Sequence, residues 1–511
     1  MGMKKFCLLL VLLLLLSGCG KNTETTPTEP SAAHTVGCVD ANNDGVCDVC
    51  LESVLVRFEI YSINDLHGKL ADSADQPGLD ELSTYFKQAQ QSSNTLLLCT
   101  GDMWQGAAES NLTKGFILTD WMNEMDFAAM TLGGHEFDWG EEWVRKNQQQ
   151  AQFPFLGINI YSRETNERVE YCDSSVMIDR DGVQIGIIGA VGNCYYSIAS
   201  EHSKNFYFKT GAELTALVKA EAEKLRSEGA DLIIYTIHDG YDQTTSGVGA
   251  EPVERQDLAR YYDTSLSDGY VDLVFEADSH FWYVLIDEWG VYHLQAGGNN
   301  QGISHATVQI NKANANAAVV DAQLLTNNQY SHLEEDPIVA TLLEKYAQQI
   351  APADRILGNS NLYLNSYSIC QLVANLYCDK GVEKWGEQYD IVLGGGFISC
   401  RSPSYLPQGQ VSYSQLQSLL PFDNPITLCT IRGDDLISKF LETDHYAYFI
   451  KTTEYYETVR HSIDPNATYY VVTDTYSAHY APNNMTVVET YAENIFARDL
   501  VADYITAGNL G

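Results

Sequence analysis

The chain has 511 residues, of which 45% are hydrophobic and 11% aromatic, so it can bury large cores and form two or three domains. Its 68 acidic residues outnumber its 30 basic residues, and the formal net charge is -38. Because the phosphates of nucleic acids are bound through Lys and Arg, this charge excludes a nucleic-acid polymer as partner. It also excludes docking of the protein surface on anionic lipid, and it attracts divalent cations.

The first 19 residues are typical of an export signal. Lys4 and Lys5 precede an apolar run at 6–16 that is too short to span a membrane as a mature helix. The following Leu-Ser-Gly-Cys resembles a bacterial lipobox, so we expect lipid on Cys19; a cleaved secretory signal without lipid is the alternative. Residues 20–33 are rich in Thr, Pro, Glu and Ser and predict a flexible tether. We therefore expect the chain at the extracellular face of the bacterial membrane, where the lipid is its only membrane contact.

Residues 34–52 form a short module rich in Asp and Cys. Its oxygen-bearing side chains have the spacing that begins a calcium loop: Asp40, Asn42, Asp44 and Asp48. The Glu that would complete such a loop is one residue late, at Glu52, because Leu51 occupies the expected position. Zinc is an alternative, with the ligands His34, Cys38, Cys47 and Cys50. A disulfide around an ordinary turn is a third interpretation.

From residue 54 onward, short apolar runs alternate with amphipathic stretches. The runs predict strands at 57–63, 95–100, 127–132, 155–160, 184–191, 232–238 and 273–276. The amphipathic stretches predict helices at 79–91 and 212–228. Strands separated by helices indicate an α/β domain, which we place at 53–325. In such domains the ligand site lies beyond the carboxyl ends of the strands.

Five of the predicted strands are followed by loops that carry carboxylates or imidazoles. The loops are Asn64-Asp65-Leu66-His67-Gly68, Gly101-Asp102, Gly133-Gly134-His135-Glu136-Phe137-Asp138, His238-Asp239-Gly240 and Asp278-Ser279-His280. Residues two apart on an extended segment point the same way, so we expect Asp65 and His67 to bind one ion. A single loop of this kind is usually just solvated, but five in order predict one metal centre.

These blocks resemble those of the calcineurin-like metallophosphoesterases, in the branch of 5'-nucleotidases and UDP-sugar hydrolases. The segments NDLHG, GDMWQG and GGHEFDWG are similar to the opening signatures of that branch. The resemblance runs from about residue 54 to the C-terminus. It implies a four-layer α/β/β/α sandwich followed by a smaller α/β substrate-binding domain, and a pair of divalent metal ions.

The resemblance also implies a role for each residue of the metal centre. The first ion would be bound by Asp65, His67, Asp102 and His280. Asp102 would bridge to the second ion, whose other ligands would be His238 and Asp278. His135 would stabilise the transition state and Asp138 would orient His135. The ions would be Mn²⁺, Mg²⁺, Ca²⁺ or Zn²⁺.

Two positions depart from the family's pattern. Gly134 stands where the family has a metal-binding Asn, and Asp278 stands where it has a His. The second ion therefore loses an amide oxygen and exchanges an imidazole for a carboxylate, which favours hard ions such as Mn²⁺, Mg²⁺ or Ca²⁺ over Zn²⁺. A weak or empty second site is the alternative.

The rest of the chain resembles the family's second domain. Residues 326–355 predict a connection whose helix covers 336–350, and residues 356–511 match the substrate-binding domain, with a helix at 366–379. In the glycine-rich block at 391–399, Gly394 and Ser399 replace the family's Asn and Arg, although Arg355 and Arg401 lie near the matching blocks.

Two further segments match those that hold the organic part of the substrate. From them we expect Phe422, Asn424 and Tyr476 to bind it, because aromatic faces stack on planar rings. Core positions for the two aromatic residues are the alternative.

These observations predict an extracellular, monomeric phosphoesterase that hydrolyses nucleoside monophosphates or related small phosphoesters with metal-activated water. The alternative is a catalytically weakened surface protein that binds a nucleotide-like ligand or a partner.

Overall fold

The computed structural model describes residues 39–49, 53–70, 78–92, 94–198, 202–241, 253–254, 269–396, 400–401, 405–441, 448–450, 462–479, 483–492 and 495–511. The expected signal, the tether and the lipid site at Cys19 lie outside the described residues, as do His34, Cys38, Cys50 and Ser399. None of the described helices is long and apolar enough to cross a membrane.

Two large sheets lie between residues 55 and 326. The first has the strands β1 Leu55–Ile63, β2 Thr95–Cys99, β3 Ala129–Thr131, β4 Phe155–Leu156, β14 Gly302–Asn311 and β15 Asn316–Thr326. The second has β6 Ser175–Arg180, β7 Val183–Val191, β9 Leu232–His238, β10 Val253–Glu254, β11 Leu273–Phe275, β12 Trp282–Ile286 and β13 Tyr292–Ala296. A small ribbon pairs β5 Ile160–Ser162 with β8 Phe206–Phe208.

The strand order places the loops that carry the expected metal ligands at one edge of each sheet. In the first sheet the order is β15-β14-β1-β2-β3-β4, and β1 to β4 run parallel. In the second sheet the order is β10-β12-β13-β11-β9-β7-β6, and β7, β9 and β11 run parallel. Parallel neighbours end at the same edge, so the loops after β1, β2, β3, β9 and β11 can meet.

Alternating side chains divide the buried residues of this domain into layers. On β1, Phe58 and Ile60 pack between the two sheets against residues such as Ile185 and Ile234. The opposite face of the first sheet is covered by four helices, α1 Asp80–Ala89, α2 Ala108–Thr113, α3 Phe116–Glu124 and α4 Glu141–Gln150. The outer face of the second sheet is covered by α5 Ala212–Ser227, through Leu214, Val218 and Leu225. The expected four-layer α/β/β/α sandwich is confirmed.

A second, smaller α/β unit follows. Its elements are α6 Ile338–Lys345, α7 Ala347–Ile350, β16 Ile356–Ser360, β17 Leu364–Asn365, α8 Ser366–Trp385, β18 Ile391–Gly396, β19 Tyr405–Leu406, β20 Gly409–Ser412, α9 Tyr413–Leu419, β21 Ile426–Arg432, α10 Gly433–Leu436, β22 Tyr448–Ile450, β23 Thr468–Asp474, α11 Thr475–His479, β24 Thr486–Thr490 and α12 Ala497–Thr506. The sheet order is β22-β18-β23-β21-β24. Val373 and Tyr377 of α8 pack on Leu428 and Val472 of this sheet.

Two predicted elements are interrupted. The helix expected at 336–350 breaks at Tyr346, whose hydroxyl donates to Asp120 at 2.7 Å and ties the connection to α3. The strand expected at 155–160 ends at Leu156, because Gly157 turns the chain where a Cβ would lie 2.6 Å from Ile160 Cδ1. Both breaks are tertiary packing effects that a local apolar pattern does not show.

Candidate metal centre

The loops after β1, β2, β3, β9 and β11 converge at the edge shared by the two sheets. They bring together the six expected metal ligands, Asp65, His67, Asp102, His238, Asp278 and His280, and also His135. Their donor atoms fall into overlapping groups of three, and within each group the atoms lie within 4.8 Å of one another. His67 and His280, which are 213 residues apart in the chain, thus share one small volume.

Most of these ligands have an unusual backbone conformation. The φ angles are 50° at Asp65, 51° at His67, 55° at Asp102, 65° at Asp278 and 57° at His280. Side-chain-bearing residues rarely adopt this left-handed region, and such positions concentrate at functional sites. The expectation that Asp65 and His67 lie on an extended segment is therefore wrong. A left-handed turn instead brings His67 Nε2 to 4.0 Å from Asp65 Oδ1.

The first group is formed by Asp65, His67 and His280, and Asp65 is fully buried. The peptide N–H of Asp278 donates to Asp65 Oδ2 at 3.0 Å, and His280 Nε2 lies 3.3 Å from Asp65 Oδ1. His67 Nδ1 faces the carbonyl oxygen of Gln105 at 3.2 Å, which places its proton on that nitrogen and leaves Nε2 as a lone pair. Burial and the charge of Arg401 lower the pKa of His67, which keeps it in the neutral form that binds metals.

That geometry leaves two imidazole nitrogens facing each other. His67 Nε2 and His280 Nε2 are 3.1 Å apart. Two lone pairs at this distance repel unless a proton or a cation lies between them. The residues present therefore fit a first divalent cation.

The second group centres on His238, which is fully buried. His238 Nδ1 donates to the carbonyl oxygen of Thr100 at 2.6 Å, so Nε2 carries the lone pair. That Nε2 lies 3.2 Å from Asp102 Oδ2 and 3.9 Å from Asp278 Oδ1, without a well-aligned hydrogen bond to any residue that the structure describes. Burial lowers the pKa of His238, but the carboxylates of Asp102, Asp65 and Asp278 outweigh burial and raise it. The site thus favours positive charge at this position, and a second cation fits it.

Glu136, for which the sequence analysis predicts no role, holds two of these loops together. Its fully buried carboxylate accepts the peptide N–H groups of Asp102 at 2.8 Å, Met103 at 2.8 Å and Gly133 at 2.7 Å. A Cβ at Gly133 would lie 2.4 Å from Asp102 Oδ1, so only glycine allows the loops to approach this closely. The position of Glu136 between His135 and Asp138, both expected in the site, was the sequence signal that could have indicated its role.

His135 lies at the front of the centre. Its Nδ1 donates to Asp138 Oδ2 at 2.8 Å, and its peptide N–H donates to Asp102 Oδ1 at 2.8 Å. Burial lowers the pKa of His135, but the charges of Asp138 and Asp102 outweigh it and raise the pKa. His135 Nε2 lies 3.9 Å from Asp102 Oδ2.

Comparison with known proteins agrees with this architecture. No family model matches the chain. "Protein UshA" of Yersinia enterocolitica is 25% identical over 472 residues, covering 81% of this chain and 82% of that protein. The human 5'-nucleotidase is 24% identical over 425 residues, covering 76% and 72%. "Endonuclease YhcR" of Bacillus subtilis is 26% identical over 412 residues, covering 75% of this chain but only 32% of its own length.

Solved structures show the same fold. The 5'-nucleotidase precursor of Thermus thermophilus superposes with a TM-score of 0.66 at 16% identity, covering 88% of this chain and 96% of that chain. A putative 5'-nucleotidase of Staphylococcus aureus gives 0.65 at 16% identity, covering 89% and 98%. Over most of its length the chain is thus similar to 5'-nucleotidases in sequence, and it shares the fold of the solved ones.

The second α/β unit places an arginine side chain beside the metal centre. Arg401 Nη2 contacts His135 Nε2, and Arg401 Nη1 lies 3.3 Å from His67 Nε2. The guanidinium also lies over the ring of Phe422, 5.4 Å from its centroid. The sequence placed Arg401 only near the glycine-rich block, whereas the structure brings it to the metal centre.

Phe422 reaches the same place because its segment is held between the two units. Its neighbour Asp423 forms ion pairs with Arg498 of α12 and, at 3.0 Å, with Lys114 of the first domain. Arg498 also donates to the carbonyl oxygen of Phe422 at 3.1 Å. The Phe422 ring is consequently 5.9 Å from the His135 ring, centroid to centroid.

The remaining expected residues lie elsewhere in the described chain. Asn424 is half-buried beside this segment, and Tyr476 is half-buried on α11; their part in substrate binding stays a prediction. Arg355 is exposed and stacks on Tyr413 at 5.0 Å.

In the Asp/Cys-rich module, the expected calcium ligands are engaged in turn hydrogen bonds. Asp40 accepts the peptide N–H groups of Asp44 at 3.0 Å and Gly45 at 2.9 Å, and also the amide of Asn311. Asn42 donates to Asp44, and Asp48 accepts the peptide N–H of Ala41 at 2.8 Å. A calcium ion here stays a prediction.

Proposed function

We propose that this protein is an extracellular, metal-dependent phosphoesterase that hydrolyses nucleoside monophosphates or related small phosphoesters. The observation that carries the proposal is the convergence of buried imidazole and carboxylate donors around Asp102, beside a guanidinium from the second unit. When bound there, divalent cations acidify water and stabilise negative charge on a phosphoryl group.

The chain's own residues divide the work. Asp65, His67, Asp102 and His280 would hold the first cation, and Asp102, His238 and Asp278 would hold the second. Asp102 is placed to serve both, because its donor atom belongs to a group with His67 and to another with His238. The peptide N–H groups that surround Glu136 keep the Asp102 loop in this position.

His135 is suited to donate a hydrogen bond from its Nε2–H group to a phosphoryl oxygen. Its Nδ1–H is already committed to Asp138, which orients the ring and favours the charged form. An imidazolium aimed at developing negative charge stabilises the transition state more than the ground state.

Arg401 would bind the same phosphoryl group. Its N–H groups face the ring nitrogens of His67 and His135, whereas phosphate oxygens are stronger acceptors for a guanidinium. Phe422 lies against this guanidinium and would stack on the base, with Asn424 and Tyr476 completing the pocket for the organic part.

The proposal also includes the parts of the chain outside the described residues. Lipid on Cys19 would hold a monomer at the outer face of the membrane, with residues 20–33 as tether and the 34–52 module as spacer. The phosphoesterase domain would cover 53–325 and the substrate-binding domain 356–511, joined by 326–355.

Phosphate release from AMP and a panel of phosphoesters tests the proposal, with Mn²⁺, Mg²⁺, Ca²⁺ and Zn²⁺ supplied separately. We expect turnover that depends on the cation and is abolished in Asp102→Ala. In His135→Ala, kcat should fall by about 10²- to 10³-fold, as when one group that stabilises charge is removed. Ligand binding without phosphate release under every cation would establish the non-catalytic alternative instead.

A further inference from the structure

The second cation site lacks a donor where the family has one. Gly134 offers no side chain, so the expected ligands are only Asp102, His238 and Asp278. Structural cations such as Zn²⁺ usually take four protein ligands, and catalytic ones at least three with an open position. The affinity of these three ligands for a cation therefore depends on whether a neighbouring residue supplies a fourth donor.

One side chain beside these ligands has been given no role so far. Cys194 is buried, and its sulfur forms a group with His238 and Asp278 in which all donor atoms lie within 4.8 Å of one another. The cysteine follows β7, in a short 3₁₀ helix that spans Asn193–Ser197.

The loop that carries Cys194 is held against the end of β9 by backbone contacts. The peptide N–H of Gly192 donates to the carbonyl oxygen of His238 at 3.0 Å, and that of Asn193 donates to Asp239 Oδ2 at 3.0 Å. A Cβ at Gly192 would lie 2.3 Å from Asp239 Cβ, so only glycine permits this approach. The sulfur itself lies 3.4 Å from the carbonyl oxygen of His238.

We propose that Cys194 supplies a sulfur ligand to the second cation and completes a four-donor set with Asp102, His238 and Asp278. The inference rests on the proposed metal-dependent function. Its second, independent support is His238 Nε2, a fully buried nitrogen that points into the same space and makes no well-aligned hydrogen bond within the described residues.

The separations from His238 Nε2 suit a tetrahedral site. Ligands bound at about 2.0–2.3 Å in a tetrahedron lie about 3.3–3.8 Å from one another. His238 Nε2 lies 3.2 Å from Asp102 Oδ2 and 3.9 Å from Asp278 Oδ1, close to those values. The sulfur lies within 4.8 Å of the donor atoms of His238 and Asp278.

A sulfur ligand changes which ion the site prefers. Thiolate favours Zn²⁺ and Co²⁺, whereas two carboxylates alone favour Mg²⁺, Mn²⁺ or Ca²⁺. The second site would therefore prefer a softer ion than its carboxylates indicate, and Cys194 would compensate for the donors lost at positions 134 and 278.

Titration of the metal-free full-length protein with Co²⁺ tests the assignment, because cobalt bound to thiolate has a sulfur-to-metal charge-transfer band in the near ultraviolet. We expect the band in the wild-type protein with two ions bound per chain, its loss in Cys194→Ser, and its retention in Cys172→Ser. Cys172 is the matched control: it is also buried in the first domain, where its sulfur contacts the carbonyl oxygen of Gly157. Zn²⁺ affinity at the second site should fall at least about 10-fold in Cys194→Ser, since even outer partners of a metal site contribute that much.

The outcomes separate the two proposals. If the wild-type protein binds two Co²⁺ ions and releases phosphate without the band, or if the band persists in Cys194→Ser, the sulfur ligand is refuted while the phosphoesterase stands. If the wild-type protein binds no Co²⁺, the proposed function fails as well. Absence of the band in the wild-type protein refutes the sulfur ligand even if the serine variant unfolds.

Discussion

Arg401 gives the sharpest test of how the second unit contributes to the reaction. In the structure its two N–H arms face His135 Nε2 and His67 Nε2, the latter at 3.3 Å, and its Nε finds no partner among the described residues. Truncation in Arg401→Ala removes the only guanidinium that the structure places beside Asp102 in the described part of the chain. The first domain should keep its fold and its cations, because the metal ligands do not come from this segment.

The expected loss follows from two hydrogen bonds to a phosphate dianion. A hydrogen bond to a charged group contributes about 1.5–3 kcal/mol, so two at the lower end give about 3 kcal/mol. Each 1.4 kcal/mol is tenfold, so kcat/KM for AMP should fall by about 10²-fold. Arg401→Lys keeps the charge without the planar fork and should recover about half of this free energy.

The assay is phosphate release at saturating cation, with the metal content of each variant measured in parallel. Arg432→Ala is the matched control, since Arg432 is exposed and pairs with Asp434 at 2.9 Å on the same unit. Unchanged kcat/KM in Arg401→Ala, with full metal content, would refute the role assigned to this residue. A loss of bound metal would instead show that Arg401 supports the cluster and not the substrate.

Three further predictions concern stability and specificity. Burial lowers the pKa of His293, but Glu276 and Asp287 outweigh it and raise the pKa from 6.5 to about 9; the free energy of unfolding should therefore decrease by about 3 kcal/mol as the pH rises through this interval. Urea denaturation across that pH range should show the decrease in the wild-type protein. In His293→Gln we expect a free energy of unfolding that does not change over this range; the same decrease as in the wild-type protein would contradict the prediction. Glu136→Gln presents an amide N–H₂ to peptide N–H donors and should lower the free energy of unfolding by about 2–6 kcal/mol, because about two buried donors lose their acceptor; a thermal midpoint equal to that of the wild type would contradict it. Phe422→Ala should raise KM for AMP by about 10-fold, from the 1–3 kcal/mol of a base stack, and leave KM for glycerol phosphate unchanged; equal effects on both would contradict stacking.

The local sequence determined the strands, the α/β alternation and the loops that carry the metal-binding side chains. Strand β9, predicted at 232–238, has those same bounds, and helix α5 differs from its prediction by one residue. These elements follow from apolar periodicity, which is a property of a few adjacent residues. The resemblance of the loops to one family was then sufficient to predict the four-layer architecture.

Only the tertiary structure decided which side chains meet. Cys194 and Arg401 lie in two different segments, and no spacing along the chain relates either of them to Asp102. The left-handed conformations at Asp65 and Asp102 likewise depend on the loops packed around them. Contacts of this kind arise from the closure of long loops between sheets and between domains, where separation along the chain carries no information about distance in space. The sequence therefore specified the elements, and packing of those elements specified the site.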